Sequence, residues 1–324
     1  MAVTTLPIAL GERLKREARL ERAFRLLTLA CAVLVLALLG GVAVALAHGS
    51  WPALRTFGWA FLVREIWNPV TDEYGALAPL YGTVVTSLIA MLIAVPIAFG
   101  IAVFLTETCP RWLRQPISTA IELLAAVPSI VFGIWGLFVL APLLQHTVQP
   151  WLIDVAAPVP GLRQLFQGPP FGIGVLTAGL VLAVMVLPFI TSVMREVFLM
   201  TPVSLKEAAY GVGATQWEVI WGVVLPASRA GVIGGIMLGL GRALGETMAV
   251  TFVVGNAHRI SASLIAPGTT ISASIANEFT EAVGDLYTSA LLALGLLLFA
   301  ITFVIIAAAR LLLLRLELRT QGTK

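Results

Sequence analysis

Charged residues are scarce in this chain of 324 amino acids. Only 11% of its residues are Asp, Glu, Lys or Arg, whereas 59% are hydrophobic and the mean hydropathy is +0.98. A soluble domain has roughly 25% charged residues, so this chain has too few charges to cover a surface that faces water. The composition therefore excludes a soluble cytosolic enzyme and a disordered chain, and it indicates a protein surrounded by lipid.

Several chemical motifs are also absent from the sequence. None of the three lysines follows a glycine, so the chain has no P-loop to hold nucleotide phosphates. The three histidines stand apart, without the spacing of a zinc site. The two cysteines, Cys31 and Cys109, do not predict a structural disulfide. We therefore expect no catalytic residue, metal ion or nucleotide cofactor in this chain.

Six long apolar runs account for the high hydropathy. A helix needs about 20 mainly apolar residues to cross the hydrocarbon core of a membrane, and these runs are longer than the strands of a membrane barrel. The sequence therefore predicts an all-α transmembrane bundle. The expected spans are roughly Leu26 to Ala47, Leu80 to Leu105, Ile117 to Leu144, Gly172 to Met194, Ala230 to Gly255 and Leu286 to Ala309.

The positions of the positive charges predict the orientation of the bundle. If the six spans alternate, fifteen of the 20 Lys and Arg residues fall on the side of both termini, four fall on the other side, and Arg242 lies within a span. Lys and Arg are enriched in cytoplasmic loops, so we expect both termini to be cytoplasmic. The membrane domain would occupy residues 26–309, between cytoplasmic tails at 1–25 and 310–324.

The tail of residues 1–25 mixes acidic, basic and apolar residues at helical spacing. This pattern favours a short amphipathic helix on the inner membrane surface. A cleaved signal peptide is the alternative for the first span, because Ala45-Leu46-Ala47 resembles a cleavage site. The apolar run is longer than the roughly 7 to 15 residues of a signal peptide, which favours a permanent span.

The connection between the predicted fourth and fifth spans, residues 201–226, has its own structural signals. Ser204 with Glu207, and Thr215 with Glu218, both fit the capping box that begins a helix. A Gly-x-Gly sequence separates the two signals, and glycine permits the sharp turn that two successive helices need. The segment therefore predicts a short helix-turn-helix.

The same segment resembles the EAA loop of ABC importer permeases. The positions that match are Glu207, Ala208, Ala209, Gly213, Leu225 and Pro226, with Val223 where isoleucine is usual. The resemblance implies that the loop docks on a cytoplasmic ATPase, a separate chain that would carry the missing P-loop. From the residues alone, a helix cap explains Glu207 equally well.

The predicted fifth span carries two charges and a regular series of glycines. Gly231, Gly235 and Gly239 recur every four residues, which favours close packing against another helix. Arg242, three residues after Gly239, and Glu246, four residues later, fall on the same face of a helix, so the sequence predicts an ion pair near the middle of the membrane. Each intramembrane charge costs about 2.5–3.5 kcal/mol on insertion scales. The pair therefore either lies on a translocation pathway or locks two helices together.

Three longer strings resemble the PstC family of permeases from phosphate ABC importers. They are WNPVTDEYGALAPLYGTVVTS at residues 67–87, IELLAAVPSIVFGIWGLF at 121–138 and GRALGETMAVTFVVGN at 241–256. The resemblance implies a six-helix, MetI-like permease of the type I importer class in a bacterial cytoplasmic (inner) membrane. It also implies that phosphate passes by alternating access along a pathway that includes Arg242, Glu246 and Thr247. We expect additional neutral hydrogen-bond donors at Thr83, Thr86, Ser87, Ser129 and Asn256.

The resemblance further implies a set of partner proteins. These are the sister permease PstA, two copies of the ATPase PstB, which would bind ATP and Mg, and the periplasmic phosphate-binding protein PstS. No nucleic-acid partner is expected, because the basic residues are scattered near the ends of apolar runs. Two alternatives remain open: a permease of the same class for sulfate or molybdate, and a channel that needs no ATPase.

Overall fold

The computed structural model describes residues 6–321, which fold almost entirely as helices. The α-helices of this part of the chain are α1 (Leu6–Gly49), α2 (Trp51–Phe57), α3 (Ala60–Val63), α4 (Leu77–Val103), α5 (Arg111–Ala125), α6 (Ser129–Trp135), α7 (Ala141–Leu143), α8 (Gln149–Ala156), α9 (Pro160–Leu165), α10 (Val175–Leu199), α11 (Val203–Gly211), α12 (Gln216–Val219), α13 (Leu225–Leu244), α14 (Met248–Thr251), α15 (Ile271–Glu278) and α16 (Asp285–Gln321). Four π-helical segments extend or join these helices, at Phe104–Thr108, Gly136–Leu140, Leu144–Val148 and Ile220–Val224.

The chain divides into two compact units, residues 1–49 and residues 50–324. The first unit is the single helix α1, and residues 1–5 of the predicted tail lie outside the described part of the chain. No break at residue 25 separates a surface helix from the first span. Residues 12–39 contain neither glycine nor proline, so nothing in this stretch interrupts the helix.

Six helical segments of the described chain are long and apolar enough to cross a membrane. We number them span 1 (Glu17–Gly49), span 2 (Leu77–Thr108), span 3 (Ser129–Ala156), span 4 (Val175–Leu199), span 5 (Gln216–Leu244) and span 6 (Asp285–Leu311). The predicted all-α bundle with six spans is therefore confirmed.

The third span begins later than the sequence indicates. The prediction of Ile117 to Leu144 is wrong at both ends. The start is wrong because α5 is a separate amphipathic helix that stops before Pro128, and the end is wrong because the helix continues to Ala156. Proline lacks an amide hydrogen and disfavours helical geometry in the residue before it. A new helix starts at Ser129, and its three α-helical and two π-helical segments together form span 3.

The fifth span is displaced in the other direction. It runs over Gln216–Leu244, not Ala230 to Gly255, because α12 continues through a π-helical segment into α13. Helix α13 then ends at Gly245, which is its C-cap. The apolar run continues past this point because Val253 and Val254 are fully buried inside the protein and do not face lipid. Hydropathy alone does not distinguish these two environments.

Span 4 forms the centre of the second unit. Two thirds of its most apolar window is buried, whereas one third or less is buried in spans 2, 3, 5 and 6. Span 4 packs against spans 2 and 5. On span 2, the fully buried Ala90, Ala94 and Ala98 recur every four residues and belong to the same core as Leu182 and Ile190 of span 4. These small side chains permit close approach of the two helices.

On the side of the bundle opposite residues 201–226, two segments pack together, which we call the outer segments: residues 50–76 and 255–284. They form a second hydrophobic cluster with the start of span 6, which includes Phe61, Tyr74 and Tyr287. Trp59 is highly exposed, but Trp67 is partly buried and takes part in the packing between the outer segments.

Candidate functional site

The predicted pathway residues lie where span 5 ends, and the predicted ion pair between them is wrong. Helix α13 stops two residues after Arg242 and Gly245 turns the chain, so Arg242 and Glu246 do not share a helix. The Glu246 carboxylate accepts a hydrogen bond from the Ala249 amide (3.2 Å). Arg242 instead places its guanidinium 5.8 Å from the centre of the Phe189 ring. Among the side chains that the structure describes, no salt bridge joins Arg242 to an acidic residue.

Arg242 is therefore an exposed cation on a membrane-spanning helix without a carboxylate counterion in the described chain. A cation held over an aromatic ring gains about 0.5–2 kcal/mol, which orients the guanidinium but does not neutralise it. The guanidinium stays charged at physiological pH and presents five N–H donors. The arrangement can therefore bind an anion that offers several oxygen acceptors.

Thr247, five residues further along the chain, and Phe189, which lies beside the guanidinium, differ in what they contribute. Thr247 is partly exposed, and its hydroxyl makes only a long hydrogen bond to the Gly245 carbonyl (3.4 Å), so it remains available to a ligand. Phe189, in span 4, is a residue that the sequence did not single out. An aromatic side chain within an apolar span gives no signal until the neighbouring cation is known.

The three glycines of span 5 face span 4. A Cβ atom built at Gly231, Gly235 or Gly239 would lie less than 3.0 Å from side-chain carbons of span 4, which belong to Val197, Val193 and Ile190 respectively. Gly234, on another face of the same helix, has no such neighbour within 4 Å. The glycine series therefore sets the distance between spans 4 and 5 and positions Arg242 beside Phe189.

Two of the neutral donors expected along the pathway are used within the protein. Thr83 and Thr86 are buried, and their hydroxyls donate to backbone carbonyls one turn earlier in span 2 (both 2.8 Å). Asn256 is exposed and adopts a positive φ of 52°, and its side-chain amide makes only a long hydrogen bond to the Thr251 carbonyl (3.5 Å), so it remains as available as Thr247. Thr83 and Thr86 therefore belong to the helix packing and are not lining residues.

Residues 201–226 form the predicted helix-turn-helix, and we call this segment the docking loop. Its first helix, α11, begins after Pro202 without a side-chain cap, so the predicted capping box of Ser204 and Glu207 is wrong. Gly213 makes the turn with a φ of 89°. The second box is confirmed, since the Thr215 hydroxyl accepts from the Glu218 amide and the Glu218 carboxylate accepts from the Thr215 amide.

The docking loop exposes apolar side chains. Val203, Val212 and Trp217 are 66%, 87% and 65% exposed. Glu207 and Ala208 of the EAA sequence are also exposed, whereas Ala209 packs partly against the core. Exposed apolar surface of this kind makes the docking loop a candidate protein interaction site. Leu225 and Pro226 lie in the first turn of α13, so this end of the motif belongs to span 5.

The docking loop is also fastened to span 2, which the sequence did not indicate. The Lys206 ammonium lies 2.5 Å from the Glu107 carboxylate at the end of span 2. The Gln216 side-chain amide donates to the Glu107 carbonyl (2.9 Å). Lys206 stands beside the EAA sequence, but the 99 residues between the ion-pair partners conceal the contact from any local pattern.

The outer segments contain a further charged residue, Glu278, for which the sequence did not predict a role. The Glu278 carboxylate accepts hydrogen bonds from Trp67 Nε1 (2.6 Å), Tyr287 Oη (2.7 Å) and His258 Nε2 (2.7 Å). The Trp67 and His258 rings stack with centroids 5.1 Å apart. Burial, the largest influence, opposes ionisation, but the hydrogen bonds and the nearby His258 together outweigh it and lower the pKa of Glu278. This carboxylate joins the two outer segments to each other and to span 6.

Comparison with known proteins identifies the family to which this chain is similar. The family model described as "binding-protein-dependent transport system inner membrane component" matches residues 94–318. Three curated relatives carry the name "phosphate transport system permease protein PstC". The relative from Mesorhizobium japonicum is 64% identical over 306 residues and 94% of both chains. The relative from Pasteurella multocida is 56% identical and covers 94% of this chain and 95% of its own. The relative from Xylella fastidiosa is 57% identical over 96% of both chains.

A solved structure with a similar fold is the MetNI methionine ABC transporter in an inward-facing conformation. The alignment has a TM-score of 0.54 and 16% identity, and it covers 76% of this chain and 98% of the other. At this identity the similarity concerns the fold alone, which is that of a MetI-like ABC transporter permease.

Proposed function

Because the chain belongs to the family of binding-protein-dependent transport system inner membrane components, we propose that it is the permease subunit of an ATP-driven importer for inorganic phosphate. The observation that carries this proposal is the 64% identity to a phosphate transport permease over 94% of both chains. The protein is accordingly a multi-pass bacterial inner membrane protein and a transport subunit. Its relatives do not favour sulfate or molybdate as the substrate.

Arg242 is the residue that we assign to the phosphate pathway. Its exposed guanidinium has no salt-bridge partner among the described side chains, and the partly exposed Thr247 follows five residues later in the chain. Phosphate offers the oxygen acceptors that a guanidinium binds through paired hydrogen bonds. Glu246 would keep the region close to neutral when phosphate is absent, while its hydrogen bond to Ala249 shapes the turn after span 5.

The docking loop is the surface that we assign to the ATPase. Its exposed Glu207, Ala208 and Trp217 would contact a separate ATPase subunit that binds ATP and Mg, since this chain has no P-loop. The full complex would contain the sister permease PstA, two copies of PstB and the binding protein PstS. Both termini and the docking loop would then be cytoplasmic, and ATP binding would switch the pathway between its two sides.

The proposal is tested by transport in reconstituted vesicles. The chain is copurified with its sister permease and ATPase, and the phosphate-binding protein is added outside the vesicles. Uptake of labelled phosphate is then measured with and without internal ATP, in the presence of excess sulfate or molybdate. We expect uptake that requires ATP and resists both competitors.

Each other outcome leads to a different conclusion. Uptake without ATP would favour a channel and contradict the ATP-driven mechanism. Strong inhibition by sulfate or molybdate would assign another oxyanion to the same permease. If no ATPase copurifies with the chain, the docking role of residues 201–226 is wrong.

A further inference from the structure

We propose that the ion pair between Lys206 and Glu107 couples movements of the docking loop to span 2. This inference rests on the proposed function, because it assigns a task to the loop only if an ATPase moves it. Spans 4 and 5 are joined to the loop directly by the chain, whereas span 2 is not. Span 2 packs on span 4, and a side-chain contact with the loop adds a direct connection to this indirect one.

The geometry of the pair suits such a task. The Glu107 side chain is only 8% exposed and the Lys206 side chain 16% exposed, and their charged atoms are 2.5 Å apart. Ion pairs at an exposed surface are worth little, but a pair shielded from water resists separation, because each charge would lose its partner. The contact is therefore strong enough to transmit a displacement.

Both helices of the docking loop reach the same end of span 2. Lys206 belongs to α11, and Gln216 at the start of α12 donates to the backbone carbonyl of Glu107 (2.9 Å). Carbonyls at the end of a helix lack partners within that helix, so this amide satisfies a group that would otherwise need water. At the preceding residue, Arg114 of α5 donates to the Thr106 carbonyl (3.0 Å). The inner end of span 2 is thus held by three separate segments.

The other end of span 2 lies against an outer segment. Gly82 has no room for a Cβ because the Thr269 carbonyl occupies the space. The Thr83 hydroxyl accepts a hydrogen bond from the Ile271 amide (2.9 Å). About 38 Å of helix separates Gly82 from Glu107, at 1.5 Å per residue. Span 2 therefore connects the docking loop with the outer segment that follows the Arg242 region.

The experiment compares phosphate uptake with ATP hydrolysis in the reconstituted complex. The variants are Glu107→Gln, Lys206→Met, the two combined, and the exchanged pair Glu107→Lys with Lys206→Glu. The combined neutral variant leaves no unpaired buried charge, so it tests the pair without the main cause of misfolding. Glu196→Gln is the control, because Glu196 forms an exposed ion pair with Arg195 in span 4.

We expect the neutral variants to assemble and hydrolyse ATP, while the phosphate imported per ATP falls about tenfold, within the usual range of coupling between sites. The exchanged pair should recover most of this loss, and the control should match the unmodified complex. Normal coupling in the combined neutral variant would overturn the inference, and so would loss of the ATPase from that variant. If the unmodified complex hydrolyses ATP but imports no phosphate, the proposed function fails instead.

Discussion

Glu278 and Arg242 are both charged residues at the edge of the helical bundle, but their surroundings differ. Glu278 accepts three hydrogen bonds from side chains of three different segments. Arg242 is exposed, faces one aromatic ring and forms no salt bridge with any side chain that the structure describes. A charge whose hydrogen bonds are all made inside the protein holds segments together. A charge that lacks such partners is available to a ligand.

This comparison predicts that substitution of Arg242 reduces transport, whereas substitution of Glu278 reduces stability. Arg242→Ala should reduce phosphate uptake by at least about 100-fold, since an anion held by a charged group loses several kcal/mol of binding energy without it. Assembly and ATP binding should persist. Arg242→Lys should recover only part of the activity, because lysine keeps the charge but not the paired donors. Uptake assays and gel filtration of the complex measure both effects. Dissociation of the complex would instead favour a role in locking helices together.

Glu278→Gln should act on stability. The loss of charge-assisted hydrogen bonds should lower the free energy of unfolding by about 1.5–3 kcal/mol near neutral pH. Because the pKa of Glu278 is lowered from 4.5, its stabilisation is present above pH 4.5 and is lost as the pH falls through the lowered value. The difference between the two proteins should therefore shrink in acid. Thermal unfolding in detergent checks this, with the exposed Glu281→Gln as the control. An equal difference in stability at neutral and at acidic pH would contradict the stabilising role of the ionised Glu278 carboxylate.

The same contrast between a filled and an open environment occurs on two faces of span 5. Gly231→Ala would place a Cβ against Val197, and we expect a loss of about 1–3 kcal/mol from the overpacked contact. A Cβ at Gly234 would have no neighbouring atom within 4 Å, so Gly234→Ala should be neutral or slightly stabilising. Thermal unfolding of both variants measures the difference. If the two variants were equally stable, the close contact between Gly231 and Val197 would not contribute to the packing of spans 4 and 5.

The smallest effect is expected at the docking loop. Thr215→Ala removes a cap whose hydrogen bonds are present, which should cost about 1 kcal/mol. Ser204→Ala provides the matched control, because α11 begins without a side-chain cap. Unfolding curves for the two variants should therefore differ. A loss of similar size for Ser204→Ala would mean that this hydroxyl caps α11 after all.

The sequence predicts the bundle well where local patterns decide the structure. Spans 2, 4 and 6 follow uninterrupted apolar runs, and the Thr215 box uses residues three positions apart. The predictions are wrong where the structure depends on more than the local apolar pattern. The apolar run around Val253 is buried by protein, and Gly245 ends a helix that hydropathy extends. For the same reason the ion pair of Arg242 and Glu246 was expected from helical spacing that the chain does not maintain.

The partners of the site residues could not be predicted for a related reason. Phe189 and Arg242 are on different spans, and Glu107 and Lys206 are separated by 99 positions. Such contacts depend on how spans 2, 4 and 5 pack, which requires the folded chain. The resemblance to phosphate permeases indicates the function and leads to the proposed role of Arg242, but it does not indicate these neighbours.

The two arms of the docking loop differ in helical continuity. At one arm, Thr201 and Pro202 interrupt the helix between span 4 and α11. At the other arm, the helix runs without a break from Gln216 to Leu244. A displacement of the docking loop would therefore reach span 5 through continuous helix but would reach span 4 only across the interruption. Arg242 lies at the far end of this continuous helix, so a tilt of its loop end would also displace the guanidinium.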